Sequence, residues 1–256
     1  MADNYYSIDT LNSKHWLGYT LYQQNKYSEA EELFRQAVYG RERTLGQDHA
    51  DTLHSKNWLG YILHEQKKYS EAEELLRQAA HGRERTLGQD HIDMLCSRHW
   101  LGLTLYQRNK YSEAEELLQQ VVHGRERTLG QDHEDTLYSR QWLGLTLYRR
   151  NKYSKAEELL RQAVHGRERT LGQDHADTLH CKNWLGYILY EQKKYSEAEE
   201  LLRQAAHGRE RTLGQDHVDT LYSKHLLGLT LCKQNKYSEA EELLRQVVYG
   251  RERTLG

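Results

Sequence analysis

Proline is absent from this 256-residue sequence. A chain of this length and ordinary composition would carry roughly a dozen prolines, at about 5%. Their absence excludes proline-rich linkers and permits long helices, because a proline inside a helix removes a backbone donor and clashes with the preceding turn. Cysteine is also scarce, with only Cys96, Cys181 and Cys232, and none of them forms a Cys-x-x-Cys pair. This odd number and spacing argue against a disulfide framework and against a zinc knuckle.

Neither sign of charge is in excess, since 36 Lys and Arg stand against 38 Asp and Glu. The balance argues against binding to nucleic acid, because displacing counterions from phosphates requires a basic excess. No apolar run approaches the roughly 18 residues that a membrane-spanning helix needs. Residues 1–9 lack the basic and apolar regions of a signal peptide. The sequence therefore predicts a cytoplasmic protein with reduced thiols and no membrane span.

What the sequence has in abundance is repetition. The octapeptide Lys-Tyr-Ser-Glu-Ala-Glu-Glu-Leu begins at Lys26 and returns every 42 residues, with Lys155 replacing its first glutamate in the fourth copy. A fixed period of this size indicates a solenoid. Two of the repeats, 51–92 and 177–218, differ at only three positions, so a block of three repeats looks duplicated. We predict a single domain over residues 1–256, built from repeats 9–50, 51–92, 93–134, 135–176, 177–218 and 219–256.

Each repeat is predicted to contain two helices, A and B. In the second repeat, helix A runs from about Ala50 to Glu65, and residues 66–68 form a short turn. Helix B follows, with Ser70 as its N-cap and apolar residues at helical spacing. Gly88 is predicted to follow the end of helix B, and Asp90 to cap the next helix A. Strand patterns are absent, so the predicted fold class is all-α.

The repeat resembles the tetratricopeptide repeat family over residues 9–256. Its small-and-large residue pattern is formed in the first repeat by Leu17, Gly18, Leu21, Tyr27, Ala30, Phe34 and Ala37. The 42-residue unit, in which Arg-Glu-Arg-Thr-Leu-Gly-Gln-Asp-His joins successive repeats, is similar to the kinesin-light-chain variety. Near-identical tandem copies also resemble the C-terminal arrays of fungal NLR receptors of the NB-ARC or NACHT type. The resemblance implies a right-handed superhelical solenoid of six helix–turn–helix repeats.

Two features bear on how the helices pack. Gly82 inside helix B costs about 1 kcal/mol relative to alanine, and it permits either a local bend or a close approach between helices. The large core residue that the family carries early in helix A is replaced by a base, which must extend to solvent or find a carboxylate. The bases are Lys14, Lys56, Arg98, Arg140, Lys182 and Lys224.

Comparison of the six repeats with one another shows where they differ. Helix B is almost constant, whereas helix A changes at four positions and also carries a row of tryptophans. Three of those positions lie opposite the Leu17–Gly18–Leu21 stripe, and the resemblance implies that this face lines the concave surface. We predict that a partner binds there, since solenoids bind through extended concave faces. The predicted groove residues are Asn12, His15, Trp16, Tyr19, Gln23, His54, Asn57, Trp58, Tyr61, Glu65, Cys96, His99, Trp100, Leu103, Gln107, Tyr138, Gln141, Trp142, Leu145, Arg149, His180, Asn183, Trp184, Tyr187, Glu191, Tyr222, His225, Leu229 and Lys233.

Two alternatives accompany this prediction. Surface positions drift after duplication, although drift would have changed the exposed part of helix B as much as helix A. The tryptophan row is broken at Leu226. It forms either an aromatic floor for an extended peptide or a set of indoles packed between neighbouring A helices. We favour packing for most of the indole surface, because fully exposed tryptophan rows are rare in soluble monomers.

The recurring histidines do not predict a metal site. No His-x-x-x-His pair exists, and metal ligands must converge within about 2 Å of one ion. The Gln-Asp-His run instead predicts turn and cap chemistry, and a mild pH response of His54 and His64 stays open. A phosphate loop, a nucleophile elbow and converging carboxylates are absent. We therefore predict no enzyme activity, no metal and no cofactor.

The end of the sequence raises an alternative function. The last helix B stops at Leu255-Gly256 without the polar capping helix that solenoid termini normally carry. Either the array is longer, or its apolar end stacks on another molecule. One hypothesis is therefore a non-catalytic protein- or peptide-binding scaffold, as the recognition array of a larger receptor or as an adaptor. The other is a self-assembly module that forms homo-oligomers end to end.

Overall fold

The computed structural model describes residues 7–255, which form twelve α-helices and no strand. Odd-numbered helices are helix A of each repeat, and even-numbered helices are helix B. This confirms the all-α class and the six helix–turn–helix repeats. The helices are α1 Ile8–Gln23, α2 Tyr27–Thr44, α3 Ala50–Glu65, α4 Tyr69–Leu87, α5 Ile92–Gln107, α6 Tyr111–Thr128, α7 Glu134–Arg149, α8 Tyr153–Thr170, α9 Ala176–Glu191, α10 Tyr195–Leu213, α11 Val218–Lys233 and α12 Tyr237–Leu255.

The chain divides into two compact units between Gly130 and Gln131. The first unit holds helices α1 to α6 and the second holds α7 to α12, so each contains three repeats. This division coincides with the duplicated three-repeat block of the sequence. A single domain over the whole chain stays a prediction. No helix in the described part of the chain is long and apolar enough to cross a bilayer.

Each A helix after the first begins at a histidine cap. The Nδ1 atom of His49 accepts a hydrogen bond from the backbone N–H of Asp51 at 3.2 Å, and His91 caps α5 in the same way. The histidine of each Gln-Asp-His run therefore caps the following helix A, as predicted. The prediction that Asp90 caps helix A is wrong, because the Asp90 carboxylate pairs with Arg127 of α6.

Helix B begins two residues earlier than predicted, at Tyr69, and ends where predicted, at Leu87. Lys67 has a φ of 62°, in the left-handed region, so the turn leads directly into α4 at Tyr69. The prediction of Ser70 as N-cap is wrong, since the cap residue is Lys68 and its side chain makes no cap hydrogen bond. Gly88 follows the last helical residue with a φ of 88°, a conformation that glycine adopts without steric cost.

The two helices of a repeat approach each other closely at two glycines. A Cβ atom built on Gly60 of α3 would lie 2.6 Å from Leu76 Cγ of α4. A Cβ atom on Gly82 of α4 would lie 2.4 Å from Leu53 Cδ2 of α3. Each helix thus presents a glycine to a leucine of the other. Of the two roles predicted for Gly82, close approach is the one observed.

The core is shared between successive repeats. In the first unit, Phe34 of α2, Leu59 and Leu63 of α3, Leu76 of α4 and Leu101 of α5 belong to one buried apolar cluster. Helix A therefore packs both on its own helix B and on the helix B of the preceding repeat. Because helix A is buried on two sides, its polar residues are also drawn into the packed part of the structure.

The base early in helix A finds a carboxylate in the preceding repeat. The ammonium group of Lys56 lies 2.7 Å from Glu42 of α2, and its side chain is only 4% exposed. Lys182 and Glu168 form the same contact in the second unit, also at 2.7 Å. The base therefore links two repeats. In some repeats it also contacts its own helix B, as where Arg98 donates a hydrogen bond to Gln120 at 2.9 Å.

Candidate partner-binding groove

A groove in the first unit crosses helices α1, α3 and α5 and contains a cavity of about 360 Å³. The residues that vary between repeats converge on it because they share one face of helix A. Three lining residues, Tyr22, Arg83 and Asp93, were not predicted. The predicted residues that line it are Gln23, His54, Asn57, Trp58, Tyr61, Cys96 and Trp100.

Aromatic rings form one wall of this cavity. The Tyr61 ring lies 4.2 Å from the Trp100 ring and 5.7 Å from the Trp58 ring, centroid to centroid. The hydroxyl groups of Tyr61 and Tyr22 are 2.5 Å apart. Trp58 also stacks on the buried Phe34, with the two ring planes within 11°. The indoles are half-buried in this cluster, as the packing interpretation states, and they still border the cavity.

A buried arginine of helix B lies beneath the cavity. Arg83 of α4 is 4% exposed and donates hydrogen bonds to the backbone oxygen of Asp93 at 2.9 Å and to Ser97 Oγ at 2.8 Å. A third donor of the same guanidinium lies 3.3 Å from His54 Nδ1. Within the described residues no carboxylate oxygen lies within 4.0 Å of Arg83. Neutral acceptors therefore hold this cation, and its charge acts on the groove.

The histidines around the groove are neutral at neutral pH. Burial lowers the pKa of His54, and the charge of Arg83 lowers it further. Burial lowers the pKa of His64 to about 4, and the Nδ1 atom of His64 is 3.0 Å from Thr104 Oγ1. Burial, together with His54 and a neighbouring arginine, lowers the pKa of His15 to about 3. Protonation of these rings is therefore opposed by the folded structure.

A second cavity, of about 290 Å³, lies in the second unit. Two buried arginines line it, Arg167 and Arg209, where the first cavity has one. Arg209 donates to the backbone oxygen of Asp219 at 3.1 Å. Burial lowers the pKa of His180, and these two arginines lower it further. The predicted residues that line this cavity are Tyr138, Gln141, Trp142 and His180.

Family models described as tetratricopeptide repeat match residues 10–51, 51–126, 93–169 and 174–252. The chain belongs to the tetratricopeptide repeat family. These segments cover nearly all of the described helices, and the reciprocal glycine–leucine contacts recur from the second repeat to the sixth, whereas Gly18 of the first repeat meets Phe34. No curated protein sequence matches this chain.

Solved structures of other tetratricopeptide-like proteins share the fold. A putative kinesin light chain of Podosopora anserina with nearly identical TPR-like repeats has 30% sequence identity and a TM-score of 0.72, covering 80% of this chain and 98% of its own. BtubC (BKLC) from P. vanneervenii has 16% identity and a TM-score of 0.73, covering 91% of both chains. A Rap protein complexed with Competence and Sporulation Factor has 12% identity and a TM-score of 0.62, covering 94% of this chain and 74% of that one.

One predicted set of groove residues lies between neighbouring A helices of the array. Asn57 is 7% exposed and accepts a hydrogen bond from Ser97 Oγ at 2.8 Å. Asn183 accepts one from Ser223 Oγ at 2.9 Å in the second unit. His15, at the equivalent position of the first repeat, is 2% exposed. These side chains join A helices to one another and offer a partner little surface.

The remaining predicted residues line neither cavity. Leu103 and Leu145 are buried, whereas Glu65, Arg149 and Lys233 are exposed near the C-terminal ends of their A helices. Outside both cavities lie Asn12, His15, Trp16, Tyr19, Glu65, His99, Leu103, Gln107, Leu145, Arg149, Asn183, Trp184, Tyr187, Glu191, Tyr222, His225, Leu229 and Lys233. Within residues 7–255, no three His, Cys, Asp or Glu side chains are placed to hold a metal ion.

The sequence reasoning missed the arginines of helix B. It searched for positions that vary between repeats, and Arg83, Arg167 and Arg209 occupy a position that never varies. The available signal was the recurrence of Arg-Glu-Arg, which places a base one turn from the C-terminal end of each helix B. Only the packing of helix B against the next helix A shows that the first of these two arginines reaches the groove.

Proposed function

We propose that this tetratricopeptide array is a non-catalytic scaffold that binds a protein or peptide through the groove on its A helices. The observation that carries this proposal is the composition of the two cavities. Both cavities include a tryptophan and an aspartate of helix A and a buried arginine of helix B, and their walls also carry residues that vary between repeats. A constant frame with a variable lining is the arrangement expected of a recognition surface.

The two cavities offer different chemistry to a partner. Gln23, His54 and Cys96 supply the variable polar part of the first cavity. Tyr138 and His180 occupy the second cavity at the repeat position that His54 and Cys96 hold in the first. A partner that reaches both cavities would therefore meet two distinct subsites. This difference supports selective binding over uniform adhesion.

We further infer that the array works in the cytoplasm as the recognition part of a larger receptor or adaptor. Its nearly identical repeats resemble those of fungal NLR arrays and those of the kinesin-light-chain variety. A Rap protein of the same fold is complexed with Competence and Sporulation Factor, which supports the capacity of such folds to hold a partner. No part of this proposal requires nucleic acid, a membrane or a cofactor.

The test is affinity capture from a cell extract followed by mass spectrometry. The native chain is compared with a variant that carries Gln23→Ala and Tyr61→Ala, both of which line the first cavity. The matched control is Tyr237→Ala, a tyrosine 63% exposed on helix B. Circular dichroism checks that helicity is equal in all three chains. A partner that uses the groove should be captured by the native chain and the control, and its affinity for the variant should fall about tenfold or more.

Two results would contradict the groove proposal. If the variant captures the same partners with equal affinity, the cavity is not the binding surface. If the control loses the partner as well, helix B carries the contact. Titration of the purified partner into each chain by calorimetry separates these results from differences in protein recovery.

A further inference from the structure

Successive repeats within each unit are joined by closely similar polar contacts. Arg35 of the first repeat lies 2.5 Å from Glu71 of the second. Glu31 of the first repeat accepts hydrogen bonds from Gln66 at 2.9 Å and from Lys68 at 2.7 Å. We use the word joint for this contact between one repeat and the next. Each joint thus uses an acid and a base from helix B of one repeat, and a glutamine or arginine, a lysine and an acid from the next.

The joint recurs with nearly unchanged geometry. Between the fifth and sixth repeats, Arg203 lies 2.7 Å from Glu239. Glu199 accepts hydrogen bonds there from Gln234 at 2.8 Å and from Lys236 at 2.6 Å. Burial alone would raise the pKa of Glu199, yet its hydrogen bonds, first among them that from Lys236, hold it at about 2. The carboxylate is therefore firmly engaged wherever the joint is complete.

Each half of this joint is also present once without the other half: one lies on α12 and the other on the first repeat. The α12 half carries Glu241 and Arg245, which pair with each other and have no further ion pair in the described residues. The half on the first repeat carries Gln24, Lys26 and Glu29. The side chains of these three residues make no hydrogen bond or ion pair within residues 7–255. These five side chains occupy the repeat positions of Glu199, Arg203, Gln234, Lys236 and Glu239.

Apolar burial follows the same pattern. Leu17 of α1 is 52% exposed, whereas Leu59 at the same repeat position is 2% exposed because α2 covers it. Val248 of α12 is 52% exposed, whereas Ala206 at its position is 1% exposed against α11. The open face of α1 and the open face of α12 therefore match the two sides of the apolar contact between successive repeats, and each carries the charges that the other lacks.

We propose that a second copy of this chain binds head to tail, with the α12 face of one copy against the α1 face of the next. The contact reproduces the joint between repeats, so Arg245 pairs with Glu29 of the second copy and Glu241 with its Gln24 and Lys26. Because the two faces differ, the contact is heterologous, and every added copy leaves one face of each kind open. This inference is independent of the groove.

Sedimentation velocity over a concentration series tests the proposal. The native chain should show a sedimentation coefficient that rises with concentration. Leu17→Asp should abolish the rise, since it places a charge in the centre of the apolar contact. Leu17 is exposed in the single chain, so this change should leave the fold intact, as circular dichroism can verify. A sedimentation coefficient that stays constant for the native chain overturns the proposal.

A charge exchange identifies the contact itself. Arg245→Glu alone and Glu29→Arg alone should each weaken self-association about fivefold or more, because each sets like charges opposite one another. The double variant Glu29→Arg/Arg245→Glu restores opposite charges and should recover most of the native affinity. Glu200→Arg, an exposed acid of α10 outside the joint contacts, reverses the same charge and should have no effect.

The remaining outcomes also decide the question. If the double variant associates no better than the single variants, the association uses another surface and the proposal is wrong. If Tyr61→Ala, which alters the groove, weakens self-association as strongly as Arg245→Glu, the groove and not the joint holds the second copy, and the proposal is again wrong.

Discussion

Gly82 of α4 and Leu53 of α3 pack so closely that a Cβ atom on the glycine would stand 2.4 Å from Leu53 Cδ2. Leu53 is itself 1% exposed, so it has no free space into which it could move. A glycine that weakens an isolated helix is thus required by the contact between helices A and B.

The first prediction concerns this contact. Gly82→Ala should lower the free energy of unfolding by about 1–3 kcal/mol, because overpacking outweighs the roughly 1 kcal/mol gain in helix propensity. Urea unfolding followed by circular dichroism measures it. Gly88→Ala measures backbone strain without overpacking, since nothing lies within 4 Å of its Cβ position and only the positive φ of 88° opposes the substitution. A stabilised Gly82→Ala chain would contradict the proposed role of the glycine.

The second prediction concerns the pair of Lys56 and Glu42. Glu42→Gln should lower the free energy of unfolding by about 1–3 kcal/mol, because it leaves the buried ammonium group without its carboxylate. The array supplies its own control in Glu252, which holds the same repeat position in α12 and has no ion pair in the described residues. Glu252→Gln should change the free energy of unfolding by less than about 0.5 kcal/mol. Equal effects from both substitutions would show that the ion pair of Lys56 and Glu42 does not contribute to the free energy of unfolding.

The third prediction is that the first unit loses stability in mild acid. The folded pKa values of His15 and His64, about 3 and about 4, lie below the ordinary histidine value of 6.5. The neutral histidines contribute fully to the free energy of unfolding above pH 6.5. This contribution declines as the pH falls from 6.5 toward their folded pKa values. At pH 5 each histidine should lower the free energy of unfolding by at most about 2 kcal/mol relative to pH 7.

Urea unfolding at pH 7 and pH 5 measures this loss, and the repeats suggest the control. Tyr190 stands at the position of His64 in the fifth repeat, so His64→Tyr is a substitution that the array already accommodates. This variant should lose less stability between pH 7 and pH 5 than the native chain. An unchanged pH dependence would show that His64 does not govern the response.

The fourth prediction concerns thiol reactivity. Burial raises the pKa of Cys181 to about 12, and the thiolate is the reactive form, so iodoacetamide should not alkylate Cys181 until the chain unfolds. Cys96 lines the first cavity, whereas Cys232 lies outside it. Once a partner is known, its binding should slow alkylation of Cys96 and leave Cys232 unchanged. Equal protection of the two thiols would argue against binding in the groove. Mass spectrometry of the labelled peptides reports each site.

Local structure was largely predictable because it depends on nearby residues. The bounds of helix A in the second repeat match the prediction, since apolar spacing within sixteen residues determines them. The caps were less predictable. Ser70 and Asp90 are common cap residues, yet neither caps a helix. Lys68, which follows the left-handed Lys67, is the cap residue of helix B. The imidazole of His91 caps helix A, and the Asp90 carboxylate binds an arginine. Those choices depend on turn geometry and on a helix that is distant in sequence.

The sequence predicted which face of helix A borders the groove, but it did not predict how deeply each side chain is buried. Helical periodicity correctly grouped His54, Tyr61 and Gln23 on one face, and these side chains do border one cavity. It also assigned Leu103 to the groove, although Leu103 is buried and lines neither cavity. Periodicity specifies where a side chain points, whereas burial depends on the neighbouring helix that it meets.

The sequence by itself determined the period, the two helices of each repeat and the family, because these follow from patterns within 42 residues. Only the tertiary structure decided which of these nearly identical residues are covered. Leu17 and Leu59 have the same local role, yet one is 52% exposed and the other 2% exposed. The physical reason is that a residue's burial in a solenoid is set by the adjacent repeat, which its own local sequence does not describe.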